Sequence, residues 1–297
     1  MDSNLAMDAI RLVSAIAILA FASALDWRTR KVPNIYWVLM GGIGLVLIPI
    51  QVLADGEDPA YILVLIPVFA ILADVYLDSD EETTWARYAP FVKYAIAVLS
   101  MVLLAMYLGD DEYFQHLLAV PGMMLLIVAL YMLDVIRGGA DAKALLSLAV
   151  LFPFYPGFDS LPVLSADSPS AEILFPFTFV VLVTAAIIVA LFPLAFLMFN
   201  LARGDSKFPY SLLGYRIPLA DVQKKHVWLM ERMKDGKHEL RARPIHDEDV
   251  SSAVALLHEA GFARVWVTPK IPFIVPMLIG LVISAIVGNI LLLIFPL

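Results

Sequence analysis

The chain has 297 residues, 61% of them hydrophobic, and a mean hydropathy of +0.85. A soluble globular protein is nearer half apolar, so this is the composition of a polytopic membrane protein. The absence of cysteine excludes disulfides and thiolate metal sites, and a net charge of −8 argues against nucleic acid as a partner.

Taken in chain order, apolar windows fall at 5–25, 34–54, 60–77, 89–108, 114–134, 141–156, 171–201 and 271–295. A transmembrane helix needs ~20 apolar residues, with ~17 as a lower limit, so 60–77 and 141–156 are marginal. Pro153 and Pro156 interrupt the far end of the latter. The first window raises a signal peptide, because Ala22-Ser23-Ala24 has a small-x-small form. Against that, Arg28, Arg30 and Lys31 follow the apolar run instead of preceding it, which favours a retained helix whose C-terminal end is cytoplasmic. The sequence predicts a polytopic α-helical membrane protein of about eight transmembrane helices (six to eight), with a small cytoplasmic α+β insert before the last. Its expected parts are a helical bundle over 1–201, a soluble domain over 202–270 and a C-terminal transmembrane helix over 271–297.

Charge orients these windows. With the N-terminus outside, the outer connections 55–59, 109–113 and 157–170 contain no Lys or Arg. Arg28, Arg30, Lys31, Arg87, Arg137 and every basic residue of 202–270 fall inside, as the positive-inside rule requires. Arg11 alone is misplaced, and the acidic stretch at 78–82 lies inside without affecting orientation. Counting helices then puts Asp26 and Asp141 at the same, cytoplasmic, side of a multi-pass cell-membrane protein.

The insert 202–270 carries 12 Lys/Arg against 9 Asp/Glu. The spacing of Val222, Trp228, Leu229 and Met233 predicts a helix over 219–234, and Asp235-Gly236 is a turn signal. A strand is expected over 238–245, a helix over 247–260 with Gly261 as its C-cap, and a second strand over 263–268.

Two carboxylates stand out, because charges near hydrocarbon are costly and are functional candidates by default. Asp26 closes the first window. A carboxylate at a helix C-terminus meets partial negative charge, which counts against a purely structural role, although Arg28, Arg30 and Lys31 are there to compensate. Asp141 opens a later window, where a helix N-cap is the plain structural alternative. It follows Gly138-Gly139-Ala140, a segment that removes side-chain bulk and permits positive φ, so that another backbone can come close. Asp74 and Asp134 are further carboxylates near inner helix ends and read as interfacial residues. The five histidines show no metal-ligand spacing that puts them in one site, and no phosphate loop or serine nucleophile motif is present.

These two segments resemble the type IV prepilin peptidases, and specifically the archaeal preflagellin (archaellin) and prepilin peptidases, membrane aspartyl proteases of the GxGD class. Asp26-Trp-Arg28-Thr-Arg30-Lys31-Val32-Pro33-Asn34 is similar to the family's first-aspartate segment, and Gly138-Gly139-Ala140-Asp141 to its second motif. Leu213-Gly214-Tyr215-Arg216-Ile217-Pro218, with Lys225-His226 after it, resembles the soluble segment of archaeal members. Two features depart from the pattern: Ala140 stands where GxGD has glycine, and 55–113 adds a helical pair, which preserves the sidedness of the aspartates. The zinc-ligand cysteines of many bacterial members are absent.

The resemblance implies an aspartic endopeptidase that removes a short basic leader from archaellin or type IV pilin-like precursors at the cytoplasmic membrane face. Asp26 and Asp141 would be its catalytic pair, and Gly138, Gly139, Ala140, Arg28 and Asn34 its candidate substrate contacts. No cofactor and no metal is expected; the partners are the precursor proteins and the lipid bilayer, and the oligomeric state is not encoded legibly. From the helix dipoles, Asp141 is expected as the base and Asp26 as the proton holder. The alternative is a proton- or cation-coupled transporter using the same two aspartates. Transport sites usually lie near the bilayer midplane, whereas both aspartates are expected at one surface. A non-catalytic membrane scaffold is the third reading.

Overall fold

The fold is seen in a computed structural model that describes residues 3–76, 84–109, 111–164, 169–242 and 250–295. Its helices are α1 Ser3–Thr29, α2 Ile35–Ala54, α3 Leu65–Tyr76, α4 Thr84–Leu108, α5 Glu112–Met132, α6 Gly139–Leu151, α7 Pro169–Leu174, α8 Phe177–Ala190, α9 Phe192–Ala202, α10 Tyr210–Leu213, α11 Val250–Glu259 and α12 Ile274–Val287. Among the described residues, five short strands lie between α10 and α12: β1 Tyr215–Pro218, β2 Val227–Leu229, β3 Glu231–Lys234, β4 Lys237–Leu240 and β5 Arg264–Pro269. Among the described residues, six helical segments are long and apolar enough to cross a membrane: Asn4–Thr29, Ile35–Ala54, Pro59–Tyr76, Tyr88–Leu108, Glu112–Met132 and Phe177–Ala202. The chain is a polytopic helical membrane protein with a small sheet-containing region before its last helix.

Two of the expected windows hold shorter helices. Helix α6 stops at Leu151, ahead of Pro153, so its 13 residues reach only ~20 Å at 1.5 Å per residue. Helix α12 has 14 residues and stops at Gly288, which adopts φ +92. The residues after α6 dock on the end of α12, with Leu164 N–H donating to the Val287 carbonyl at 2.7 Å and Asn289 N–H to the Leu164 carbonyl at 3.1 Å. Non-helical backbone at membrane depth is tolerated when its polar groups are satisfied inside the protein in this way.

Contacts divide the chain into two units, Met1–Ala186 with Pro272–Leu297, and Ile187–Ile271. In the first, α6 is the central helix: every residue of 144–151 is buried, among Trp37, Met40, Met124, Ile127 and Leu281. Phe21, Val46, Val98 and Met106 face outward and are exposed, the apolar surface a bilayer would cover. Arg11, the basic residue that broke the charge pattern, is fully buried in α1, with its guanidinium 3.5 Å from Asp8. It is paired within the bundle and so does not count as a loop charge.

In the second unit, β5 lies between β1 and β2 in an antiparallel sheet over a core of Ile217, Leu219, Val222, Leu257, Val265 and Val267. The expected helix over 219–234 is not formed. Only 219–224 turns, as a 3₁₀ segment, and the rest is β2 and β3. Val227 and Trp228 suit a strand, and β2 pairs with a distant partner, β5, which a local periodicity does not reveal. The Asp235-Gly236 signal is a true two-residue hairpin turn between β3 and β4, with φ of 51 and 70 as a type I′ turn demands. The expected strand over 238–245 ends at Leu240, and its last residues 243–245, like 247–249 and the acidic 78–82, lie outside the described residues.

Candidate active site

Asp26 lies in the last turn of α1, half-buried, with its carbonyl accepting from the Arg30 N–H at 3.0 Å. Arg30 ends the helix by adopting a left-handed φ of 58. Arg28 is exposed on the same turn. The chain then crosses Val32-Pro33 and starts α2, with Asn34 at its N-cap position.

Asp141 is in the first turn of α6 and is half-buried. It is not the N-cap: Gly138 occupies that position, and its carbonyl receives the Ala142 N–H at 3.0 Å. Nor is the glycine there for a left-handed conformation, since Gly138 has φ −89. It is there for space. A Cβ at Gly138 would lie 2.0 Å from Asp141 Oδ2, so the carboxylate folds back over a position where only hydrogen fits. A Cβ at Gly139 would meet nothing closer than the Tyr131 hydroxyl at 3.7 Å, and Ala140 packs against the core.

Asp26 and Asp141 are brought to one end of the first unit, where α1 stops and α6 starts. Their approach follows from how α2 and α6 pack. Lys143 Nζ donates to Asn34 Oδ1 at 3.0 Å, Ser147 Oγ to the Trp37 carbonyl at 2.9 Å, and Gly44 lies against the backbone of Val150 and Leu151. Residue numbers rise together along both helices, so they run parallel and begin at the same end. Asp26 therefore shares that end with Asp141.

Asp74 and Asp134 do not join the pair. Asp74 is taken by Lys93 and Tyr94 of α4, and Asp134 follows α5 in a left-handed conformation with φ 56. Cavities beside α6 among the described residues include two of similar size. One of 510 Å³ is lined by Asn34, Trp37, Gly42, Phe69, Tyr76 and Ser147. The other, of 470 Å³, is lined by Asp74, Tyr94, Tyr131, Gly139 and Lys143. Lys143, Ser147, Tyr76 and Tyr131 were not singled out from the sequence. The signal for the first two was there, a Lys and a Ser four residues apart in an apolar window and hence on one helix face. Among the described residues, no cluster of three His, Asp or Glu side chains is placed to hold a metal ion.

Residues 206–290 match the family described as Archaeal Peptidase A24 C-terminus Type II. The preflagellin peptidase of Methanocaldococcus jannaschii is 24% identical over 259 residues, covering 84% of this chain and 93% of the relative. That of Methanococcus voltae is 22% identical over 258 residues, covering 84% and 94%. These matches support the archaeal preflagellin peptidase family. The two relatives are aligned over 84% of this chain, and they support a peptidase.

Proposed function

We propose that this protein is a membrane aspartic endopeptidase that removes the short basic leader of archaellin or type IV pilin-like precursors at the cytoplasmic membrane face. The observation that carries the proposal is the position of Asp26 and Asp141 at one end of the bundle, in a chain similar to preflagellin peptidases along most of its length. Two nearby carboxylates do not both ionise readily, so the pair holds one proton at working pH. The ionised carboxylate takes a proton from water as the water oxygen bonds to the scissile carbonyl carbon. The protonated one donates to the carbonyl oxygen. Collapse of the tetrahedral intermediate breaks the C–N bond and a proton passes to the leaving amine, with no covalent enzyme intermediate.

Around the pair, the exposed Arg28 and the backbone of Gly138, Gly139 and Ala140 are proposed as substrate contacts. Residues 202–270 are proposed as a cytoplasmic domain that docks the precursor or restricts access to the site.

Purified Asp26→Asn and Asp141→Asn variants, each given a precursor and followed by the mass shift on a gel, test the pair. Each is expected to lose at least about 100-fold in rate, the scale of general acid–base catalysis. Substantial cleavage by either sinks the dyad. A shared proton also requires a bell-shaped dependence of kcat/KM on pH. Activity falls at low pH, where both carboxylates are protonated and no base is left, and at high pH, where both are ionised and no acid is left. A profile that rises to a plateau would show that a single ionisation is enough.

A further inference from the structure

We infer that Lys143 is a positioning residue whose hydrogen bond to Asn34 holds the Asp26 turn against the Asp141 turn. The inference rests on the two-aspartate reading of the site and deepens it. The chain forms a closed ring here. Asp26 is joined through the left-handed stop at Arg30 and the short Val32-Pro33 connection to Asn34, and Asp141 lies two residues before Lys143 on α6. The 3.0 Å bond from Lys143 Nζ to Asn34 Oδ1 closes the ring across 109 residues of sequence.

Neither partner is spent on another role that would explain it. Asn34 stands at the N-cap position of α2, yet its side chain makes no capping bond to the helix. Lys143 is the cation of α6, and its ammonium is bonded across the helix pair to Asn34. Its ammonium lies 5.4 Å from the centre of the Tyr76 ring, a cation–π contact that holds the stem in place. One turn further along α6, Ser147 donates to the Trp37 carbonyl, and the Tyr76 hydroxyl is 3.5 Å from Ser147 Oγ. These contacts form two polar rungs between α2 and α6 at the end that carries the aspartates, with backbone packing at Gly44 further in. Loss of the outer rung removes the side-chain tie between Asn34 and the start of α6, and with it a restraint on how the two turns meet. Asn34 thus belongs to the frame of the site.

The natural absence of cysteine gives a test with a readout independent of catalysis. In membranes containing the full chain with Asp26→Cys and Asp141→Cys, oxidation or a short bifunctional maleimide is expected to cross-link the two turns. Adding Lys143→Met or Asn34→Ala is expected to lower the yield severalfold, and combining them to lower it no further. In the otherwise natural chain, Lys143→Met is expected to lower kcat by about 10-fold or more, because a small misplacement of catalytic groups is costly. KM should stay within about twofold. Asn34→Asp, which still accepts from the ammonium, should keep most of the activity. Unchanged cross-linking in both Lys143→Met and Asn34→Ala overturns the inference, whatever happens to kcat, as does a strictly additive double variant. Activity in Asp26→Asn or Asp141→Asn would instead remove the catalytic reading while leaving the cross-linking result to stand on its own.

Discussion

The Gly138–Asp141 contact makes the sharpest demand on a single residue in the candidate site. A carboxylate at the third helical position ordinarily points along the helix toward solvent or the free N–H groups. Here one of its oxygens occupies the space a Cβ at position 138 would need. Gly138→Ala therefore has to push the Asp141 side chain aside or unwind the first turn of α6, whereas Gly139→Ala meets only ordinary van der Waals contact at 3.7 Å. The expected outcome is a loss of about 100-fold in precursor cleavage for Gly138→Ala, from displacement of a reacting group. Gly139→Ala should cleave nearly normally, and both variants should remain folded in detergent. Equal behaviour of the two would mean that the Asp141 rotamer is not constrained by its neighbour. The two adjacent glycines are indistinguishable in sequence; they differ only in where the carboxylate three residues downstream folds.

At the scale of elements, α2 and α6 are held by a polar contact at one end and a steric one further in. A Cβ at Gly44 would lie 2.6 Å from the Val150 carbonyl oxygen and 2.8 Å from the Leu151 Cα, both backbone atoms of a buried helix that cannot yield cheaply. Gly44→Ala should cost about 1–3 kcal/mol, the usual penalty for overpacking. Gly42→Ala, with nothing within 4 Å of the added carbon, should be close to neutral. Thermal unfolding in detergent, read by helical circular dichroism, separates them, and equal melting temperatures would mean that α2 and α6 can move apart freely. The apolar helices were legible in sequence because length and hydropathy alone report them, and the segments around Asp26 and Asp141 were legible because charges beside hydrocarbon stand out. What decides the geometry was not legible. Gly44, Lys143 and Ser147 acquire meaning only from a helix more than 100 residues away. The 219–234 segment failed for the same reason: Val222, Leu229 and Met233 match a helical period, but pairing of 227–229 with β5 settles its conformation.

For the whole molecule, the parallel start of α2 and α6 puts the two aspartates at one end without saying which compartment that end faces. Charge supplies the expectation. Arg11 was the one basic residue against it, and its burial beside Asp8, with the Asp8 carboxylate also accepting from the Gly157 N–H at 3.0 Å, removes that objection. The connections at the opposite end then present only acidic charge, including Asp55, Asp58 and Glu112. Lys and Arg in short loops resist translocation, so the aspartate end is expected in the cytoplasm. A cysteine-free chain permits a direct measurement with two nearly isosteric substitutions at exposed sites. Ser160→Cys, in the connection after α6, should react with an impermeant maleimide added to intact cells. Ser206→Cys, just beyond α9, should react only after the membrane is opened. The reverse pattern would put Asp26 and Asp141 outside the cell and withdraw the cytoplasmic site of cleavage. Reaction of both in intact cells would mean that the number of crossings between 160 and 206 is even, and that the apolar stretch Phe177–Ala202 turns back at the break between α8 and α9, where Pro193 follows Leu191-Phe192.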